Sequence, residues 1–292
     1  MCPHCQTSTH LIKRGIYRRP SDQKKIQRFH CKKCNKGHST QTHSFDYRQR
    51  KRHINQTVFR LFSKGSSERA IAEIIGVNKK TIARRVAPFA KCARKNLEQM
   101  REDTSNVCEI VFDEMESFEH TKLKPLTIPL AVEKCTRKIL AFDVGVIAAK
   151  GTLAHISVKK YGKRKCQRRK VLESLFKQIE QVAHPKCCFS SDESTHYPGV
   201  LRRHFKDAEH LQFKGRAAAI VGQGEMKKGG FDPLFSLNQT AAMIRDNIKR
   251  MARRTWCTTK RVDRLLDFLA IYAIYHNQII EGIRRPRILN MV

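Results

Sequence analysis

Val107-Cys-Glu-Ile-Val-Phe-Asp113 is a short run that ends on an acid, and two similar runs follow it: Leu126-Thr-Ile-Pro-Leu-Ala-Val132 and Ile139-Leu-Ala-Phe-Asp-Val-Gly-Val146. β-Branched and apolar residues fill all three, so they are expected as successive strands of one sheet. The next segment, Val171 to Val182, changes period. Its apolar residues fall at 171, 172, 175, 176, 179 and 182, the spacing of a helix laid on that sheet. A fourth strand from Cys187 ends at Ser191-Asp192, a short helix spans about 200–205, and a fifth strand covers His210 to Phe213. These connection lengths predict hairpin-linked strands first and helix-linked, parallel strands later.

Outward from this region the composition changes twice. Residues 1–48 carry paired cysteines and strand-like stretches, residues 49–100 read as helical, and residues 105–292 alternate strand and helix patterns. The fold expected is multidomain α+β, with the third module holding a mixed five-stranded sheet. Gly222 to Gly230 is loop by composition and is expected to be mobile, a lid over a site.

Charge limits what the chain can partner. Lys and Arg number 59 against 26 Asp and Glu, a formal charge of +33. That much like charge repels itself unless a polyanion offsets it, which points to nucleic acid. A membrane surface is a poorer fit. No apolar run reaches the roughly 18–20 residues needed to span a bilayer, and Leu265 to Ile280 is broken by Asp267, His276 and Asn277. The N-terminus lacks a charged-then-apolar signal pattern, so a cytoplasmic, nucleoid-associated location is expected. Eleven cysteines in a reducing compartment argue for metal ligation and burial rather than disulfides.

Cys2-x-x-Cys5 and Cys31-x-x-Cys34 supply two thiolate pairs, each one edge of a tetrahedral site. Zinc is the expected metal of this closed, structural ribbon. Iron or an iron-sulfur cluster suits the same ligands, and His4 and His38 stand near as substitutes. Ser66 to Val86 reads as a helix-turn-helix. Gly76 makes the turn, Ala72 lets the helices approach, Ile71, Ile75, Val77, Ile82 and Val86 fill the space between them, and Asn78 caps the second helix. Lys79, Lys80, Thr81, Arg84 and Arg85 are then placed to meet phosphates and base edges of double-stranded DNA. Lys159 to Lys170 is a basic stretch that suits either a DNA-backbone track or an exposed loop.

Asp113 and Asp192 end the first and fourth strands, which are expected as neighbours. Paired acids at adjacent strand ends suit Mg²⁺-dependent phosphoryl transfer, because hard cations take oxygen ligands and leave positions open for substrate phosphate. Either acid alone reads equally as a surface turn residue. A template comes from resemblance. From Asp113-Glu-Met-Glu-Ser-Phe through Ser191-Asp-Glu-Ser to Leu237-Asn-Gln-Thr-Ala-Ala-Met-Ile-Arg-Asp, the chain resembles bacterial insertion-sequence transposases of the DDE superfamily. Arg253 to Lys260, followed by His276-Asn277, is similar to the same group, and so is the order of ribbon, helix-turn-helix and ribonuclease-H-like domain.

The resemblance implies Mg²⁺ or Mn²⁺ at Asp113 and Asp192, with Asn238 where the superfamily usually has a third acid. Asn offers a neutral carbonyl oxygen, a weaker ligand than carboxylate. Arg245 and Lys249 follow at seven and eleven residues and are expected on the same helical face, where a cation holds the scissile or target phosphate or, equally, Arg245, Lys249 and Arg250 form a solvated stripe. Glu225, Asp232 and Glu116 stay open as alternative third acids. Trp256 suits a terminal base or, more simply, the core. The implied activity is cleavage and strand transfer at the element's terminal repeats and target DNA, by a homo-oligomer. The competing expectation is a DNA-binding regulator or a decayed copy that keeps the ribbon and the helix-turn-helix only.

Overall fold

The computed structural model describes residues 1–215, 226–227, 230–252 and 257–288. Glu225, Trp256 and most of the expected lid lie outside the described residues.

The cysteine pairs sit on a small antiparallel sheet of three strands, β1 (Leu11–Arg18), β2 (Lys25–Cys31) and β3 (Lys36–Ser39), in the order β1-β2-β3. Three helices follow: α1 (Asn55–Ser63), α2 (Glu68–Ile75) and α3 (Lys79–Asp103). Gly76 takes φ +67° between α2 and α3, the left-handed region where a Cβ is strained. Ser67 Oγ accepts the Ala70 N–H, and Asn78 Oδ1 accepts the Lys80 N–H, so both helices start with a side-chain cap. Ile71 and Ile82 are fully buried between them.

The large sheet is built from β4 (Val107–Phe118), β5 (Pro125–Glu133), β6 (Ile139–Phe142), β7 (Gly145–Val146), β8 (Ala183–Asp192) and β9 (Glu209–Phe213). Its order is β6-β5-β4-β8-β9, with β7 also paired to β5. β4, β5 and β6 are antiparallel neighbours, whereas β8 and β9 join in parallel. The run expected as one strand from Ile139 to Val146 is thus broken in two, giving six strands rather than five. Gly145 shows why the second piece stays on the sheet. A Cβ there would stand 2.7 Å from Val171 Cγ1, so only glycine lets the next helix pack so closely.

Helices cover both faces. α4 (Leu153–Tyr161), α5 (Arg168–Ile179) and α6 (Tyr197–His204) follow the strands described above. A short pair, β10 (Met226–Lys227) and β11 (Gly230–Phe231), precedes α7 (Phe235–Asn247) and α8 (Val262–Ile280). One apolar core holds Ile110, Phe112, Leu172, Phe176, Phe189 and Tyr197, joining the sheet to α5 and α6. The other face carries Val111, Met115 and Ile128 against Leu237 and Ile244 of α7 and Leu269 of α8, and it continues into Phe59, Ile71, Ile82 and Phe89 of α1–α3. Each such side chain contributes about 1.5–3 kcal/mol of burial. Helices α1–α3 therefore pack on the same core as the sheet. Asp267 ties the two together, accepting Arg94 of α3 at 2.9 Å and Arg264 at 2.8 Å.

α8 also closes the open edge at β6. Asn277 Oδ1 accepts the Ile139 N–H at 2.8 Å and its Nδ2 donates to the Ile139 carbonyl at 2.9 Å, replacing a missing strand partner. His276 Nε2 lies 2.9 Å from the Arg137 carbonyl and donates to it. Among the described residues no helix is long and apolar enough to cross a membrane.

Candidate active site and nucleic-acid surface

The parallel register of β4 and β8 sets Val111 opposite Ser190, which carries Asp113 and Asp192 side by side two residues further on. Asp113 is not a relaxed surface acid. Burial pushes its pKa up, the charge of Asp192 pushes it further, and together they raise it to about 6 against the pull of two hydrogen bonds. Those bonds both reach Oδ1. The Glu114 N–H donates at 2.6 Å and the Tyr197 hydroxyl at 2.9 Å. Tyr197 is buried at the start of α6, and its hydroxyl in turn accepts the Glu114 N–H at 3.1 Å. Oδ1 is thus held, and among the described residues no hydrogen bond reaches Oδ2. Asp192 Oδ1 accepts the Ser194 N–H at 3.0 Å, and its carbonyl accepts Gln212 at 3.1 Å. Two carboxylates forced together in a half-buried place repel each other, and a divalent cation relieves that repulsion, so the pair fits such an ion.

Asn238 stands in the first turn of α7. Its Nδ2 donates to Asp232 Oδ2 at 2.8 Å. A carboxylate only accepts, so the amide must present nitrogen to Asp232 and turn its oxygen away. Asp232, itself buried, also accepts the Leu234 N–H at 3.1 Å and so starts the helix. α7 is anchored at this end by Ser236, which donates to the Lys134 carbonyl at 2.5 Å, and by Arg137, which donates to Gln239 at 2.5 Å. Among the described residues no hydrogen bond joins Asn238 to Asp113 or Asp192. Glu116, the other alternative, pairs with Lys150 at 3.0 Å on the exposed end of β4.

Lys249 departs from its expected place. α7 ends at Asn247, Ile248 turns to φ −116° and ψ 90° with its side chain buried, and Lys249 begins a separate 3-10 turn, Lys249–Met251. It therefore does not share a helical face with Asn238. Arg245 remains on α7, half-buried.

Arg85 also departs from its expected place. Lys79, Lys80 and Arg84 are exposed and Thr81 is half-exposed, but Arg85 is 5% exposed and points inward. Its Nε donates to Asn55 Oδ1 at 2.9 Å and its Nη2 to the Lys51 carbonyl at 3.0 Å, which fastens α3 to the segment entering α1. In the basic stretch from Lys159 to Lys170, Arg164 and Arg168 likewise turn inward. They meet Glu119 at 3.4 Å and Glu114 at 3.0 Å, leaving Lys159, Lys160, Lys163, Lys165, Arg169 and Lys170 exposed. Burial raises the Glu114 pKa, and Thr127, donating at 2.8 Å, and Arg168 offset it.

The four cysteines of the ribbon converge. Their sulfurs all lie within 4.8 Å of one another, with Cys2 to Cys34 at 3.6 Å and Cys5 to Cys31 at 3.5 Å. Four sulfurs at about 2.3 Å from a tetrahedral zinc stand about 3.8 Å apart, so the set fits that ion. Burial opposes ionisation of Cys2, yet the amides of His4 and Cys5 outweigh it and bring its pKa down to about 6, and the Cys34 amide lowers Cys31, whereas burial pushes the Cys34 thiol up to about 12. His4 and His38 are outside this group.

Tyr197 and Arg168 were not expected from sequence. The Tyr-Pro-Gly at the head of α6 signals a helix start, but nothing local announces that the hydroxyl reaches Asp113.

No protein-family model matches the chain, and no curated protein does either. Among solved structures it is similar to one described as "Crystal structure of a pre-cleavage Mos1 transpososome", at 9% identity over 75% of this chain and 73% of that one. The TM-score is 0.19, so the fold has to be argued from its own strand order.

Proposed function

We propose that the chain is a DDE-type transposase that cuts and rejoins DNA at paired aspartates. The observation that carries this reading is the placement of Asp113 beside Asp192 on adjacent parallel strands, with the Asp113 pKa pushed up to about 6 by burial and by its neighbour. With β6 and β7 counted as two pieces of one broken strand, the sheet runs third, second, first, fourth, fifth in sequence order, with the second strand antiparallel to the first. That order supports a ribonuclease-H-like catalytic module over 105–292, preceded by a ribbon over 1–48 and a helix-turn-helix over 49–100.

On this reading Asp113 and Asp192 would hold Mg²⁺ or Mn²⁺, with Asn238 as third ligand through the amide oxygen, since its nitrogen is the atom bound to Asp232. The ion supplies Lewis-acid activation and charge neutralisation at phosphorus. Tyr197 keeps one oxygen of Asp113 fixed, so the other presents a preset geometry. Water attacks the scissile phosphate in line, and the freed 3′-hydroxyl then attacks target DNA, with no covalent protein–DNA intermediate. Lys79, Lys80, Thr81 and Arg84 bind the element's terminal repeats, Arg245 orders a phosphate beside the third ligand, and Cys2, Cys5, Cys31 and Cys34 bind zinc. Two ends held together imply a homo-oligomer on DNA.

The test is cleavage of duplex DNA carrying the sequence that flanks the gene, in Mg²⁺ or Mn²⁺. Wild type nicks it at the repeat end and Asp113→Ala does not. If both bind the duplex and neither cuts it, the protein is a DNA-binding regulator or a decayed copy.

A further inference from the structure

The loop before α2 lies directly against the end of α7. A Cβ on Gly65, at φ +73°, would stand 2.9 Å from the Asn247 carbonyl oxygen, so the two segments touch. Between them opens a cleft of about 360 Å³, lined on one side by the starts of α2 and α3 and on the other by the 3-10 turn and Phe268 of α8. At about 30 Å³ per water, it has room for about twelve waters, or for one phosphodiester with parts of its sugars.

Its lining is cationic. Among the described residues Arg69, Lys79, Lys249 and Arg250 stand against one carboxylate, Glu68. Arg250 is the telling residue. It is half-buried with its Cζ 4.3 Å above the Phe268 ring, yet among the described residues it makes no hydrogen bond and no ion pair. Burial lowers its pKa, and the charge of Glu68 across the cleft offsets only part of that. A guanidinium has five N–H donors, and those of Arg250 keep contact with solvent at the cleft, where an anion can take the place of water. The wall opposite also offers donors. Ser67 Oγ takes only the Ala70 N–H, so the amides of Glu68 and Arg69, in the first turn of α2, have no partner within the helix.

We infer that this cleft binds one phosphate of a DNA backbone, gripping it between the helix-turn-helix and the 3-10 turn that follows α7. The inference rests on the DNA-binding part of the proposed function. Lys79 begins α3, the helix whose exposed Lys80 and Arg84 meet DNA on that reading, so the phosphate belongs to the same duplex. The grip then couples recognition of an element end to the position of α7. An acidic protein segment would offer the same charge but has no reason to continue onto α3.

The experiment is fluorescence anisotropy on the full chain with a labelled random-sequence duplex, titrated at several salt concentrations. Each phosphate contact contributes about 0.9 to the slope of log affinity against log salt. Arg250→Gln and Lys79→Gln should each weaken binding and lower the slope by about one, and the double variant should lose less than the two losses together, because both act on one phosphate. Arg250→Lys should recover most of the slope. Thermal melting of each variant checks the fold. Unchanged affinity and slope in a folded Arg250→Gln overturns the cleft, while a loss in Lys80→Gln alone leaves the DNA-binding reading standing. Failure of wild type to bind any duplex overturns both. If polyglutamate binding falls in Arg250→Gln and duplex binding does not, the occupant is an acidic protein segment and the inference fails.

Discussion

Replacing Asp113 by Asn should make the metal-free protein more stable. The Asp113 pKa rises from its ordinary 3.8 to about 6 because the ionised group is half-buried beside Asp192. At about 1.36 kcal/mol per tenfold change in proton affinity, ionised Asp113 costs the fold roughly 3 kcal/mol. The sign follows from linkage. Between the two values the native state binds more protons than the unfolded chain, so stability falls as pH rises through that interval and stays lower above it. The amide of Asp113→Asn carries no charge, and its oxygen still accepts from Tyr197 and the Glu114 N–H, so this loss disappears. Urea unfolding in EDTA, from below pH 4 to above about pH 7, should show the wild type losing up to roughly 3 kcal/mol that Asp113→Asn keeps. Added Mg²⁺ at a hundred times its dissociation constant should return about 2.7 kcal/mol to the wild type and little to the variant. A variant less stable than wild type at neutral pH without metal would refute the reasoning, since Asp113 would then be a structural acceptor and not a strained ligand.

Other outcomes follow from the same geometry. Elemental analysis should find about one zinc per chain, lost in Cys31→Ser; zinc-free wild type would contradict the ribbon. Arg85→Met should cost about 1–3 kcal/mol by stranding buried Asn55, with the salt dependence of DNA binding unchanged; a slope lower by about one would instead place Arg85 on DNA. Asn238→Ala should raise the metal concentration needed for cleavage by on the order of tenfold or more, and Asn238→Glu should lower it again. Full activity in Asn238→Ala removes it as a ligand and directs attention to Asp232 or Glu116.

Much of the fold was legible because apolar periodicity is dictated by burial. The runs at Val107, Leu126 and Cys187 and the stripe from Val171 map onto β4, β5, β8 and α5. The turn at Gly76 and the cap at Asn78 were legible because few residues meet those backbone demands. Arg85 was misread although its signal was present. Ile82, Arg85, Val86 and Phe89 follow the spacing of one buried stripe, and only the charge of Arg85 argues for solvent. Lys249 was misplaced because helical spacing was carried past Asn247, where no Gly or Pro marks the stop. Which partners fold beside Asp113 is set by tertiary packing. Tyr197 lies 84 positions away, and no local pattern encodes that bond.

Strand transfer at Asp113 and Asp192 is measured by joining a labelled duplex end to a supercoiled plasmid in Mg²⁺ or Mn²⁺. The duplex would carry the sequence flanking the gene and a free 3′-hydroxyl. Wild type should move the label onto plasmid DNA, and Asp192→Ala should bind the same duplex but transfer none. Equal transfer by wild type and Asp192→Ala would contradict the account.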